Sequence, residues 1–158
     1  MADEVRVTNA DLVVDEGERV QYIVIKLGHE QYGIDIKYVD NIVRMQSITR
    51  VPHVPEYIKG VINLRGEVIP VLNLRLKMGL EEVEDTKATR IIILKIEQYG
   101  LLGFIVDEVK EVVTLSDVQI EKTSYDGTEE KLGFVYAVGK NENELISLLD
   151  MHAVCNEK

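Results

Sequence analysis

The chain has 158 residues, of which 46% are hydrophobic and 29% charged, and this is enough apolar material for one or two compact folded units. Its formal net charge of −10 repels phosphate backbones and argues against nucleic acid as a partner. A single cysteine, Cys155, excludes an intramolecular disulfide and is typical of proteins in a reducing cytosol.

The first residues, MADEVRVTNADLVVDEGE, predict an acidic N-terminal tail over residues 1–18. This segment lacks the basic start and the apolar stretch of a signal peptide. The longest apolar runs later in the chain, RIIILKI and LLGFIV, are far shorter than the roughly 20 residues that a membrane-spanning helix needs. We therefore expect a cytoplasmic protein that makes no direct membrane contact.

Short β-branched runs follow the tail and are separated by glycine, asparagine and charged residues. QYIVIKLG and EQYGIDI predict two strands joined by a tight turn at Gly28–His29, and TRIIILKI and YGLLGFIV predict a second pair. Helical signal is confined to short stretches such as PEYIKG, NLRLKMGL and LLDMHAV. The pattern predicts an all-β fold with a few short helices.

The two halves of the chain resemble each other segment by segment. Three pairs of segments align in chain order: GIDIKYVDNIV (33–43) with GFIVDEVKEVV (103–113), GVINLRG (60–66) with GFVYAVG (133–139), and VIPVLNL (68–74) with LISLLDM (145–151). An ordered series of this kind predicts an internal repeat.

Each repeat holds about five short strands, which suits a small closed barrel because closure leaves no exposed sheet edge. We therefore predict two tandem five-stranded β-barrels, subdomain 1 at about 19–80 and subdomain 2 at about 88–155. The polar, acidic segment LEEVEDTKAT (80–89) is the predicted joint between them.

Catalytic motifs are absent from the sequence. It contains no phosphate-binding glycine loop and no G-x-S-x-G elbow. His152 and Cys155 have the spacing to share a metal on a helix, but zinc usually takes three or four ligands. Asp107 and Glu108 follow an apolar strand without an evident acid–base partner. We predict no catalytic residue, metal or cofactor, and the alternative left open is a small hydrolase or ligand-binding barrel that uses Asp107, Glu108 or the His152–Cys155 pair.

The hairpin GVINLRGEVIPVLNLR (60–75) places a charged residue between two apolar runs. Asn63 and Gly66 suit either a type I turn with Gly66 in the left-handed region or a two-residue loop with Gly66 at a positive φ. Gly66 is thus predicted to be a structural turn residue. Both turns place Arg65 at the tip, where it is either solvated or presented to a partner.

The stretch RVPHVPEYIKGVINLRGEVIPVLNLR (50–75) resembles the signature of the CheW family, the bacterial chemotaxis coupling proteins. Its pattern P-x-x-P-x-[YF]-[IV]-x-G-V-x-N-L-R-G is long and specific, and the resemblance extends over about residues 19–155. It implies two SH3-like barrels and an adaptor without catalysis. Such an adaptor links the cytoplasmic tips of chemoreceptors to the regulatory domain of the histidine kinase CheA, in arrays at the inner face of the membrane. The same role in a non-flagellar receptor–kinase pathway is an open alternative.

The resemblance also implies two binding surfaces. The receptor-binding positions form an apolar groove and correspond to Ile36, Val39, Ile42, Ile92, Val109 and Val112. The kinase-binding positions correspond to Asn41, Lys59, Gly60 and Arg65. Family members often carry a carboxylate at the position of Asn41 that can pair with the arginine, so here we expect the neighbouring Asp40 to be the ionic partner of Arg65.

Overall fold

The computed structural model describes residues 18–122 and 133–155, so the predicted acidic tail lies outside the described residues except for Glu18. The strands in these two ranges are β1 (Arg19–Leu27), β2 (Glu30–Asp35), β3 (Val39–Arg44), β4 (Ile58–Leu64), β5 (Glu67–Asn73), β6 (Arg90–Ile96), β7 (Gly100–Val106), β8 (Glu108–Ser116), β9 (Ile120–Lys122), β10 (Val135–Asn141) and β11 (Glu144–Leu149). The two short helices are α1 (Leu74–Lys77) and α2 (Met151–Cys155), and 3₁₀ turns precede β3 and β9. The all-β prediction is confirmed. Neither helix in the described ranges is long and apolar enough to cross a bilayer.

The strands form two sheets, but neither sheet comes from one half of the chain. One sheet has the order β8-β1-β2-β11-β10-β9, and the other has the order β3-β6-β7-β5-β4. The first hairpin of each half therefore joins the strands of the other half. Strand pairing crosses the boundary predicted near residues 80–89, which separates two repeats in the sequence but not the two sheets.

The repeat is visible as matched pairings in the two sheets. β1 pairs antiparallel with β8 as β6 does with β3, and β2 pairs parallel with β11 as β7 does with β5. Gly33 and Gly103 are equivalent, and both lack room for a side chain. A Cβ atom on Gly33 would lie 2.8 Å from Leu148 Cδ2, and one on Gly103 would lie 2.9 Å from Ile91 Cγ2. Side chains of neighbouring strands thus pack closely against both glycines.

Three apolar clusters make up the core of the described residues, and they explain why the β1 and β6 runs do not alternate with polar residues. Successive residues of a strand point to opposite faces. In β6, Ile91 and Ile93 belong to a cluster formed within the five-stranded sheet. Ile92 and Leu94 point the opposite way and belong to a central cluster that both sheets share. β1 divides its side chains in the same way between the central cluster and a cluster formed within the six-stranded sheet. A strand that is buried on both faces is apolar throughout.

Candidate functional site

Arg65 and Gly66 form a two-residue loop at the tip of the β4–β5 hairpin, because Leu64 pairs with Glu67. Their φ angles are +52° and +84°, and positive values at both positions define the type I′ turn that fits the twist of a hairpin. The amide of Gly66 donates a hydrogen bond of 3.2 Å to Asn63 Oδ1. Of the two turns that the sequence allowed, the two-residue loop is the one that forms.

Arg65 is exposed, and no hydrogen bond or ion pair joins its guanidinium group to any residue in the described ranges. The expected ion pair with Asp40 does not form. The left-handed region costs a residue with a Cβ about 1 to 2 kcal/mol, and asparagine or glycine is preferred there. Turn formation therefore does not account for an arginine at this position.

The other three predicted kinase-binding residues differ from one another in role. Lys59 forms an ion pair of 2.7 Å with Glu82 at the wall of an open groove lined by the loop of residues 50–56. Gly60 is buried at φ +144°, and a Cβ atom there would overlap the carbonyl oxygen of Thr49. Asn41 is half-buried, and its Oδ1 accepts a hydrogen bond of 2.9 Å from the amide of Ile42. Close packing against Thr49 thus explains why residue 60 is a glycine, whereas Lys59 presents a charge near the surface.

Most of the predicted receptor-binding residues lie on two equivalent edge strands, β3 and β8. Val39, Ile42 and Val109 are half-buried at the border of the central cluster. Val112 is 50% exposed. β3 and β8 thus each present apolar side chains that are at least partly exposed.

The remaining two predicted receptor-binding residues, Ile36 and Ile92, differ sharply in burial. Ile36 lies in the 3₁₀ turn before β3 and is 36% exposed. Ile92 is 0% exposed and lies inside the central cluster, where it pairs in register with Ile42. In this structure Ile92 is a core residue that supports Ile42, and it offers no surface to a partner.

The sequence did not reveal the ion pair between Arg75 and Asp107, which joins segments of both sheets. Arg75 Nε donates to Asp107 Oδ1 at 2.9 Å, and Nη2 donates to Oδ2 at 2.7 Å. The amide of Gly28 in the β1–β2 turn also donates to Oδ2 at 2.7 Å. Burial alone would raise the pKa of Asp107, but the hydrogen bonds from Arg75 and Gly28 outweigh it and hold the pKa below its ordinary value of 3.8.

This ion pair predicts a specific loss of stability in acid. A carboxyl group whose pKa is lowered by folding stabilises the folded state fully above its ordinary pKa of 3.8, and the contribution is lost as the pH falls through the lowered pKa. We expect Asp107→Asn to lower the free energy of unfolding by roughly 1 to 2 kcal/mol at neutral pH, since water screens a partly exposed pair. Denaturant titrations of both proteins should converge as the pH approaches 2. A gap that stays constant from pH 7 to pH 2 would contradict the assignment.

The residues proposed for a hydrolase or a metal site are not arranged for either task. Burial raises the pKa of the Cys155 thiol to about 11, which keeps it protonated near neutral pH. His152 is exposed, and its ring lies edge-on to Tyr38 at a centroid distance of 6.1 Å. Within residues 18–122 and 133–155, no group of three histidine, cysteine, aspartate or glutamate side chains could hold a metal ion. The lowered pKa of Asp107 is opposite to what a general acid requires.

Comparison with known proteins gives one consistent family. The model of the CheW-like domain matches residues 21–158. The chemotaxis protein CheW of Bacillus subtilis (strain 168) is 37% identical over 145 residues, which cover 92% of this chain and 91% of the relative. The chemotaxis protein CheW of Helicobacter pylori (strain ATCC 700392 / 26695) is 33% identical over 144 residues, which cover 89% of this chain and 84% of the relative.

A solved structure of a CheW protein also matches the fold of this chain. The crystal structure of the scaffolding protein TtCheW from Thermoanaerobacter tengcongensis matches with a TM-score of 0.80 and 35% identity, over 89% of this chain and 97% of that chain. The architecture and the sequence point to the same family, and the chain belongs to the CheW family.

Proposed function

We propose that this chain is a non-catalytic adaptor that couples the cytoplasmic tips of chemoreceptors to the histidine kinase CheA in chemotaxis signalling arrays. Membership of the CheW family supports the chemotaxis role, and a solved relative is described as a scaffolding protein. The observation that carries the proposal is Arg65, an exposed cation at a hairpin tip whose backbone disfavours it. Such a residue is explained by a partner that binds it.

The kinase-facing surface in this proposal is centred on the β4–β5 hairpin tip. The guanidinium group of Arg65 has five N–H donors in a fixed planar arrangement, which suits bidentate binding of a carboxylate. Lys59 lies on β4, the first strand of this hairpin. Its ion pair with Glu82 is partly exposed, so Lys59 can exchange Glu82 for a carboxylate of a partner. We expect the kinase regulatory domain to present an acidic or carbonyl-rich surface to this tip.

The receptor-facing surface in this proposal is formed by β3 and β8. Val39, Ile42, Val109 and Val112 supply apolar side chains that border the central cluster or project from it. An amphipathic helical hairpin binds such a surface by burying a few apolar anchors in it. The adaptor would then reach the membrane through its receptor partner, which places it at the inner face of the membrane without a direct lipid contact.

Replacing Arg65 by alanine or glycine separates binding from turn formation. We expect both variants to bind the kinase regulatory domain at least about tenfold more weakly, because arginine is enriched among the interface residues whose truncation costs about 2 kcal/mol or more. Glycine suits φ +52° better than alanine, so Arg65→Gly should be the more stable variant in thermal unfolding. Pull-down and titration with the kinase regulatory domain and a receptor cytoplasmic fragment measure the two contacts separately.

Three results of this experiment would contradict the proposal. If only Arg65→Ala loses kinase binding, the residue acts through the turn and not through its side chain. If neither variant loses binding and receptor control of kinase activity persists, the hairpin tip is not the kinase contact. A wild-type chain that binds neither partner would exclude the adaptor role itself.

A further inference from the structure

The chain crosses between the two sheets at two equivalent points. It leaves β2 in the six-stranded sheet and enters β3 in the five-stranded sheet through the 3₁₀ turn Ile36–Tyr38. It leaves β7 in the five-stranded sheet and enters β8 in the six-stranded sheet through the single residue Asp107. These crossovers lead directly into the two strands that carry the proposed receptor surface.

Each crossover contacts a short helix at the matching position. Helices α1 and α2 follow the equivalent strands β5 and β11. In each helix, the amide of the third residue donates a hydrogen bond to the side chain of the residue before the helix. Leu76 donates to Asn73 Oδ1 at 3.1 Å, and Ala153 donates to Asp150 Oδ1 at 3.2 Å. The second residue of α1 is Arg75, which binds Asp107. The second residue of α2 is His152, whose ring lies against Tyr38.

A bulge interrupts the ladder near the start of each strand that follows a crossover. In the β1–β8 pair, Val24 is opposite Glu111 and Ile25 is opposite Val109, so a bulge leaves Lys110 without a ladder partner. In the β3–β6 pair the equivalent bulge leaves Asp40 without one. Pairing continues on both sides of each bulge, and the start of β8 keeps two ladder pairs, Ile25 with Val109 and Lys26 with Glu108. Contacts at the crossover therefore add to a short run of ladder pairs.

We propose that Arg75 and Asp107 are positioning residues that fix the start of β8 and thereby align Val109 with Val112 for the receptor. Asp107 lies two residues before Val109 and is tied to α1 by Arg75 and to the β1–β2 turn by the Gly28 amide. Arg75 Nη1 also donates to the carbonyl oxygen of Glu81 at 3.0 Å, so the same guanidinium group holds the start of the 80–89 segment. This inference rests on the proposed receptor surface.

The test combines amide hydrogen exchange with binding measurements on Asp107→Asn and Arg75→Lys. We expect exchange at the Glu108 and Val109 amides to quicken about tenfold more than exchange at Leu115, beyond the bulge, which follows only the change in the free energy of global unfolding. Affinity for a receptor cytoplasmic fragment should fall about tenfold, and affinity for the kinase regulatory domain should not change. Arg75→Lys keeps the charge but loses the two-pronged contact, so it should show the same pattern if Asp107→Asn proves too unstable.

The control is Glu144→Gln, which removes the exposed ion pair of 2.8 Å between Glu144 and Lys110 of β8 and should alter none of these quantities. Unchanged exchange at Val109 would overturn the proposal, as would faster exchange with unchanged receptor affinity. An equal fall in both affinities would also overturn it, because that is the result of general destabilisation. A wild-type chain that binds no receptor fragment would overturn the proposed function instead, and exchange at Val109 would still decide whether the ion pair holds β8.

Discussion

Replacing Ile92 by alanine will lower the free energy of unfolding by about 2 to 5 kcal/mol. Its side chain is 0% exposed and lies in the cluster between the sheets, so truncation removes buried methyl and methylene groups and leaves a cavity. The neighbouring strands limit how far the backbone can move to fill this cavity, because β6 is hydrogen-bonded on both sides, to β3 and to β7. Denaturant unfolding monitored by circular dichroism measures the change.

The matched control is Ile36→Ala, which removes the same atoms from a residue that is 36% exposed. We expect this variant to lose no more than about 1 kcal/mol, as is usual for a partly exposed side chain. Equal losses in the two variants would contradict the assignment of Ile92 to the core. The pair therefore separates the one predicted receptor-binding residue that is fully buried from one that a partner can reach.

Much of the fold could be predicted because strand periodicity and turn residues are local properties. The hairpin at Gly28, the tip at Arg65 and Gly66, and the repeated order of segments were all predicted from short stretches of sequence. The exchange of hairpins between the two sheets could not be predicted. The first hairpin of each repeat has the same apolar pattern, and periodicity shows which residues alternate but not which strand they pair with.

The site was harder to predict because an apolar residue on a strand does not show which face it occupies. Ile92 and Val112 were assigned to one groove, yet one is fully buried and the other is half-exposed. Arg75 and Asp107 lie 32 residues apart in the chain, and neither belongs to a motif that names its partner. The position of Asp107 directly after the buried run LLGFIV was a usable signal, since a carboxylate there needs donors nearby.

The substitution Val112→Glu will weaken binding of the receptor fragment about 30-fold or more. Val112 is half-exposed on the edge strand β8, so the free protein can solvate the new charge and should fold normally. A receptor helix packed on β8 would bury that charge without a partner, and burial of an unpaired polar group costs on the order of 2 kcal/mol or more. Co-sedimentation with receptor fragments measures the loss, and thermal unfolding checks the fold.

The same substitution at Val118 supplies the control for charge and residue type. Val118 is 77% exposed in the 3₁₀ turn that joins β8 to β9, outside the stretch of β8 that carries Val109 and Val112. Val118→Glu should bind the receptor fragment as the wild type does. If both variants lose binding equally, repulsion by the added charge explains the effect. If Val112→Glu loses kinase binding and keeps receptor binding, the two surfaces have been assigned to the wrong partners, because an unpaired charge weakens only the interface that buries it.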